Sequence, residues 1–511
     1  MQKLRVIIIK PSKYGLDGNV ERFWKGFMAN GTITHIRSML DQIDSTLEVQ
    51  IVDEYVQTDL KYLELLSKAD VPTLLLLVGV QSHQFHRGLD LAAFALKRGV
   101  EHVVIGGPHV MTCDTSALQG FGLSFALAEA EIILPEIIAD ARDGALEPVY
   151  GGDRRWKEKL DSPVLIPPSA RDLRRYIVPM VGVYPARGCV YTCNFCSVIM
   201  IAGRQIRSQN VETSIASLRA IQNAGAKMVM FTSDNFNKYA EARDLLKRMI
   251  EEKFQLSFFV QCDTQVHKDE ELIELLARAG CFSMFVGVES FDRKTLLGAH
   301  KAQNYPKAYS EIVRLCRKHK IASHFSNIIG FPGQTQQDIH HHWEILDELD
   351  PDVVSFYILT AIPGTLQYQE FLDAGLITEL NLDRYDGTTT TWNHDQISQR
   401  DLRALLFESY HRFYNPRRLA RFAIASFKGG NILSGFLKDL CPAFFSRYSA
   451  WNGRHPMSGG VGRKVLDSAS DYAQLRWERY GINLAPLPHN LKLSQADTEM
   501  NSRVKLPVAG G

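Results

Sequence analysis

Up to residue 374 the chain alternates short apolar runs with stretches of helical spacing, and this rhythm restricts it to a parallel-sheet architecture. Residues 4–10, 47–52, 72–81, 101–106 and 123–128 read as strands, and 85–98 carry apolar side chains at helical spacing. Strands apolar along their whole length belong to parallel sheets covered on both faces. The polar stretch 151–178 reads as a linker, after which the rhythm restarts. Strands are expected at 181–185, 227–232, 255–261, 281–287, 321–329 and 352–359, and helices at 211–224, 240–253, 269–279, 305–318, 336–349 and 366–374. Six such units are too few for a closed eightfold barrel; they suit a partial barrel with its sites at the carboxyl ends of the strands. The expected fold is α/β. A doubly wound parallel-sheet domain spans 1–150 and a partial (β/α)6, TIM-type barrel spans 179–378. A mainly helical C-terminal domain follows over 379–485, then a poorly ordered tail over 486–511.

The charge balance, 58 basic against 57 acidic residues, gives no electrostatic case for binding nucleic acid. No apolar run approaches the roughly 20 residues of a membrane span. The N-terminus MQKLRVIIIKPS lacks a signal-peptide cleavage site, so a cytoplasmic location is expected. Eight cysteines are too sparse for a disulfide framework, yet Cys189, Cys193 and Cys196 crowd into the loop after the first barrel strand. Three thiolates on one loop can hold a soft metal centre. Structural zinc would want a fourth protein ligand, and the nearest histidines, His109 and His267, lie about 70 or more residues away. A four-iron cluster on three cysteines instead leaves one iron open. Cys262, Cys281 and Cys316 sit in apolar segments and read as small buried hydrophobes.

The stretch ARGCVYTCNFCSV (186–198) resembles the radical S-adenosylmethionine (SAM) superfamily, as do SDNF (233–236), GVES (287–290), NIIGFPGQT (327–335) and IPGT (362–365) at later strand ends. The resemblance implies a [4Fe-4S] cluster on Cys189, Cys193 and Cys196. It also implies that Phe195 lies near the adenine of SAM, with Ser233, Asp234, Glu289 and Asn327 holding its amino acid or ribose parts. In the first domain the strand ends read VGVQSH (78–83), IGGPH (105–109) and ALAEAE (126–131). A parallel sheet with these ends, preceding such a barrel, is similar to the Rossmann-like cobalamin-binding domain of the B12-dependent branch. The third end departs from that branch's Gly-Glu-x-Glu pattern, and the Asp-x-His-x-x-Gly signature of a histidine on cobalt is absent. Ser82, Gly106, Gly107, His109 and Glu129 are the implied cobalamin contacts, with the glycines letting the corrin or nucleotide tail pack on backbone.

The implied activity is methyl transfer to an unactivated carbon of a small, hydrophobic intermediate, through a 5′-deoxyadenosyl radical and methylcobalamin. The branch also holds oxidative cyclases and rearrangement enzymes, and a cobalamin carrier or sensor is the reading from another class. A methylthiotransferase would need three more cysteines early in the chain, where only Cys113 stands. Residues 411–450 carry seven Arg or Lys and one acid, with aromatics interleaved. They suit a helical cap on the barrel, or contact with a membrane surface or an amphiphilic substrate such as a lipid or tetrapyrrole. Flavodoxin or ferredoxin is the expected electron donor. His340–His342 point in different directions on a helix and read as solvated.

Overall fold

The structure, a computed structural model, describes residues 3–152, 155–156, 159–428 and 441–481. The expected tail at 486–511 lies outside them, as do Phe436, Lys438 and Asp439 of the basic segment. The first 150 residues contain β1 (Arg5–Lys10), β2 (Arg22–Met28), β3 (Glu48–Asp53), β4 (Thr73–Leu77), β5 (His102–Gly106), β6 (Ser124–Ala126) and β7 (Val149–Tyr150). All but β2 form one parallel sheet in the order β3-β1-β4-β5-β6-β7. Ile7, Ile9, Leu75, Leu77 and Ile105 pack on one face with helix Phe85–Lys97. Val6, Ile8, Leu74, Leu76 and Val104 pack on the other with helices Gly31–Ile43 and Ala130–Asp143. Burial on both faces is why these strands are apolar at every position.

β8 (Tyr176–Val178) leads into β9 (Met180–Val183), and β10 (Ala186–Arg187) pairs with β11 (Arg207–Ser208) around the cysteine loop. Then come β12 (Met228–Phe231), β13 (Ser257–Cys262), β14 (Cys281–Glu289), β15 (Ala322–Ile329) and β16 (Val353–Ile358). The six-stranded parallel sheet β16-β15-β14-β13-β12-β9 is the expected partial barrel, open between β9 and β16. Val260, Val286 and Phe325 point outward into the core under the helices. Their neighbours Phe259, Phe285 and His324 point inward, where the rings meet at 4.9–6.4 Å. The edge strand β16 is covered rather than left to pair with another chain. Tyr410 and Tyr414, at the end of helix Gln399–Phe413, accept hydrogen bonds through their hydroxyls from Phe356 N (3.0 Å) and Val354 N (2.9 Å) and donate back to the carbonyls.

A third sheet crosses the expected domain limits. β2 pairs in parallel with β8 and antiparallel with β17 (Gly460–Lys464). Beside it lies a fully buried charge network. Arg22 donates to Glu54 (2.8 Å) and to Asp467, and Arg87 donates to Glu54 (2.6 Å) and Asp467 (3.4 Å). Arg476 meets Asp90 at 2.6 Å. The C-terminal segment is thereby bolted to the first domain.

Four of the five described arginines of the basic segment are bound to the protein itself, and Arg417 is exposed. Arg412 meets Asp347 (3.3 Å), Arg418 and Arg421 meet Asp350 (3.0 and 2.7 Å), and Arg447 donates to the His411 and Tyr414 carbonyls. Among the described residues no helix is long and apolar enough to cross a membrane. His342 departs from the solvated helix face expected for it: it is buried, with its ring 5.1 Å from Phe291.

Candidate active site

Gly188 makes the cysteine loop possible. Its φ is +105°, and a Cβ there would stand 2.1 Å from the Gln205 carbonyl oxygen, so glycine alone lets the loop close on itself. Beyond it Cys189 N donates to Gly203 O (3.1 Å) and Cys196 N to Cys193 O (3.2 Å). The three thiols are half-buried. Asn235 Nδ2 donates to Cys189 Sγ (2.9 Å) and Gln303 Nε2 to Cys193 Sγ (3.6 Å). Burial, with the neighbouring Cys193 adding to it, pushes Cys189 up to about 11 and Cys196 to about 12. Cys189 and Cys196 therefore need a bound cation to become thiolates. Among the described residues no three His, Cys, Asp or Glu side chains could hold one metal ion between them. Three cysteines on one loop are nevertheless the donor set of a thiolate-held iron–sulfur cluster.

The other expected SAM residues stand at the carboxyl ends of neighbouring strands. Asp234 accepts from Gly188 N at 2.9 Å, and burial raises its carboxyl to about 6. Glu289, at the end of β14, has a φ of +63° and is fixed by Lys301 (2.7 Å) and Ser326 (2.6 Å). Such strain in a non-glycine residue persists only where surroundings over-determine it. Asn327 Nδ2 donates to the Glu289 carbonyl at 2.9 Å. The Phe195 ring lies 5.7 Å from Lys301 Nζ and edge-on to Phe331. Ser233 Oγ and Asn327 Oδ1 are buried without a partner among the described residues, which suits strand ends that await a polar ligand. Asn235, Gln303 and Lys301 were missing from the sequence reading. Asn235 lay within the quoted SDNF, but nothing in the spacing signalled the other two.

Between this loop and the ends of the first sheet lies a cavity of about 340 Å³. Its floor is apolar, including Leu76, Val104, Ile133 and Ile137; its rim holds Thr32, His35, Glu129, Glu131, Arg187 and Asp234. The small residues Gly106, Ala126 and Ala128 keep the sheet end open, and His35 Nδ1 is buried without a partner among the described residues. A large cofactor with an apolar body and polar edges fits these residues.

Arg187, two residues before Cys189, is clamped by the first domain. It meets Glu131 at 2.8 Å, Glu129 at 3.2 Å and His35 Nε2 at 2.7 Å. Arg207 holds both Glu129 oxygens at 2.7 Å. Glu129 thus lines the cavity as expected, but its carboxylate is occupied by two arginines.

Of the expected cobalamin contacts, Gly106, Gly107 and Glu129 line the cavity, whereas Ser82 and His109 do not. After Gly107 the chain enters helix Pro108–Thr112, which turns His109 inward. Its Nδ1 lies 3.0 Å from Ser82 Oγ and its ring 4.2 Å from Phe85, and burial lowers its pKa to about 3. His83 and His86 are anchored likewise, to Tyr385 O and Asp383. Gly107 also has a different reason for being glycine. At φ +137° its Cβ would fall 2.1 Å from Val80 N, inside the backbone of the loop that follows β4. Gly107→Ala is expected to cost about 2–4 kcal/mol, measured as a lower denaturant midpoint, before any ligand is involved.

Beneath the cavity, Lys10 ends β1 with a buried ammonium that donates to Gln84 Oε1 (2.5 Å) and Gly79 O. Burial lowers its pKa to about 7, against the pull of Asp53. Between about pH 7 and 10 the unfolded chain holds this proton and the folded chain has lost it, so stability rises with pH. Lys10→Met is expected to flatten that rise, read as urea midpoints at pH 7 and 9.

Residues 183–346 match the Radical SAM superfamily. The bacteriochlorophyllide d C-8(2)-methyltransferase of Chlorobaculum tepidum is 24% identical over 400 residues, 73% of this chain and 85% of that one. The hopanoid C-2 methylase of Rhodopseudomonas palustris is 25% identical, over 62% of this chain and 60% of its own. The solved structure of TsrM, a radical S-adenosylmethionine methyltransferase from Kitasatospora setae with cobalamin and a [4Fe-4S] cluster bound, shares the fold. Its TM-score is 0.59 at 17% identity, covering 74% of this chain and 79% of that one. The cobalamin-dependent radical enzyme OxsB superposes at TM-score 0.56 and 13% identity, covering 94% of this chain and 79% of its own.

Proposed function

We propose that this chain, whose residues 183–346 match the Radical SAM superfamily, is a cobalamin-dependent methyltransferase acting on an unactivated carbon of a small, hydrophobic intermediate. One observation carries the reading: Arg187 and Asp234, which flank and hold the cysteine loop, also line the cavity at the ends of the first sheet. A group on the cysteines and a group in that cavity would be neighbours, as methyl transfer between them requires. The names of the relatives, methyltransferases of a bacteriochlorophyllide and of hopanoids, support the same class of reaction.

Bound together, the cluster, SAM and cobalamin supply one-electron and methyl-transfer chemistry that no side chain offers. The chain's own part is to hold and to exclude. Cys189, Cys193 and Cys196 ligate the cluster. Ser233, Asp234 and Asn327 offer polar atoms to SAM, while Lys301 and Ser326 keep Glu289 rigid beside them. Gly106, Gly107, Ala126 and Ala128 form the wall for cobalamin. In the bore of the barrel, the inward rings Phe259, Phe285 and Tyr357 would place apolar surface beside the reacting carbon and limit its access to water. Electrons would come from a flavodoxin or ferredoxin in the cytoplasm. Arg412, Arg418 and Arg421, paired with Asp347 and Asp350, favour the helical cap over membrane contact.

The test is anaerobic expression with hydroxocobalamin, followed by metal analysis and turnover with SAM and a reductant. About four irons and one cobalt per chain are expected, with release of both 5′-deoxyadenosine and S-adenosylhomocysteine. Deoxyadenosine without S-adenosylhomocysteine would replace methylation by cyclisation or rearrangement, and neither product would leave a carrier or sensor.

A further inference from the structure

A second cleft, of about 300 Å³, lies where the loop after β1 meets residues 383–389 and 452–455. Five cations and four carboxylates line it, and every carboxylate is already engaged. Asp386 is held by Lys13, Glu21 by Lys13 and Arg454 (3.8 Å each), Asp17 by Arg463 (2.7 and 2.8 Å) and Asp383 by His86 (2.9 Å). Two guanidiniums are left over. Arg403 donates only to neutral oxygens of Thr388, Thr389 and Gly453, at 2.9–3.5 Å. Arg384 has no side-chain partner among the described residues, and neither arginine has a carboxylate within 4.0 Å there. An arginine cannot shed its proton, so a partly buried guanidinium with no carboxylate in direct contact is a place where an anion gains a charge-assisted hydrogen bond.

The cleft adjoins the bore. Gly387 lies against Tyr357, its would-be Cβ 3.5 Å from Cδ1, and the Tyr357 ring stacks on His455 with centroids 4.6 Å apart. His455 lines the cleft and Tyr357 faces into the barrel beside Ile328. One aromatic pair is therefore shared between the inner face of the barrel and the cationic cleft.

We propose that Arg384 and Arg403 bind a carboxylate of the substrate, so that the molecule methylated is an apolar skeleton carrying a carboxylate arm rather than a neutral lipid. This rests on the bore being the substrate site, as proposed above. The probes are 1-pyrenebutyrate and its uncharged analogue 1-pyrenebutanol, titrated by fluorescence into the cofactor-loaded protein. The acid is expected to bind about 10–100-fold more tightly than the alcohol, the range of a charge-assisted hydrogen bond. In Arg384→Gln and in Arg403→Met that ratio should fall to about threefold or less, with the alcohol's affinity unchanged. Arg384→Gln removes no side-chain hydrogen bond or ion pair among the described residues, so its result stands even if Arg403→Met folds poorly. Equal binding of acid and alcohol, a ratio retained in Arg384→Gln, or no binding of the acid at millimolar concentration would each overturn the proposal. Iron and cobalt are assayed on the same samples, so that loss of the cofactor reading is told apart from loss of this site.

Discussion

Cys193→Ala is expected to lower cluster iron from about four per chain to less than one and to cut 5′-deoxyadenosine release by more than about a thousandfold. Cobalamin binding should persist, because the cavity at the first sheet takes nothing from Cys193. The loss would not be a folding defect. The Cys193 thiol is half-buried and receives one long hydrogen bond, from Gln303 at 3.6 Å, so its removal opens no core. Cys316→Ala is the matched control. Cys316 is fully buried in the core between the barrel and its helices, and its truncation should cost stability while leaving iron content unchanged. Full iron in Cys193→Ala, or iron lost equally from both variants, would remove the triad from the active site.

Glu54→Gln should be the most damaging change outside that site. Glu54 accepts from Arg22, Arg87 and Tyr62 in a place without solvent. An amide leaves two buried guanidiniums short of a carboxylate, a loss of about 3–5 kcal/mol, read as the denaturant midpoint of the first unfolding transition. The wild type should show the matching pH dependence. Burial alone would raise the Glu54 carboxyl, but Arg87 and Arg22 overcome it and hold its pKa well below the ordinary range. This stabilisation is complete above about pH 4.3, where the unfolded chain has also ionised, and is lost as pH falls through the depressed folded value. In Glu54→Gln that part of the acid sensitivity should vanish. An unchanged midpoint would make the network ornamental.

The parallel strands were legible because burial on both faces leaves an unbroken apolar run, and each expected strand in the two large sheets is found with only its ends shifted. β2 gave no such signal. In RFWKGFM the fully buried residues include Arg22 and Gly26, and the apolar Trp24 is exposed. Its partner β17 lies near the other end of the chain, and pairing at that separation leaves no local pattern. The cysteines could be read because ligand spacing is local. Arg187 could not, although it sits inside the quoted motif, because its role depends on Glu129 and Glu131 of another sheet. Ser82 and His109 both follow strand ends, but a strand end has two sides, and the short turn Ser82–Gln84 and the first turn of helix Pro108–Thr112 set the sides they face.

The sheet of β2, β8 and β17 also sets a timetable. Arg22 closes its ion pair with Asp467 across 445 residues of sequence. At a synthesis rate of about 5–20 residues per second, the first domain waits roughly 20–90 s on the ribosome for that partner. Throughout that interval Arg22 and Arg87 share Glu54 without Asp467, and β2 has no antiparallel neighbour. The β2 end of the first domain is therefore completed only after residue 467 has been made, later than every strand of the two large sheets.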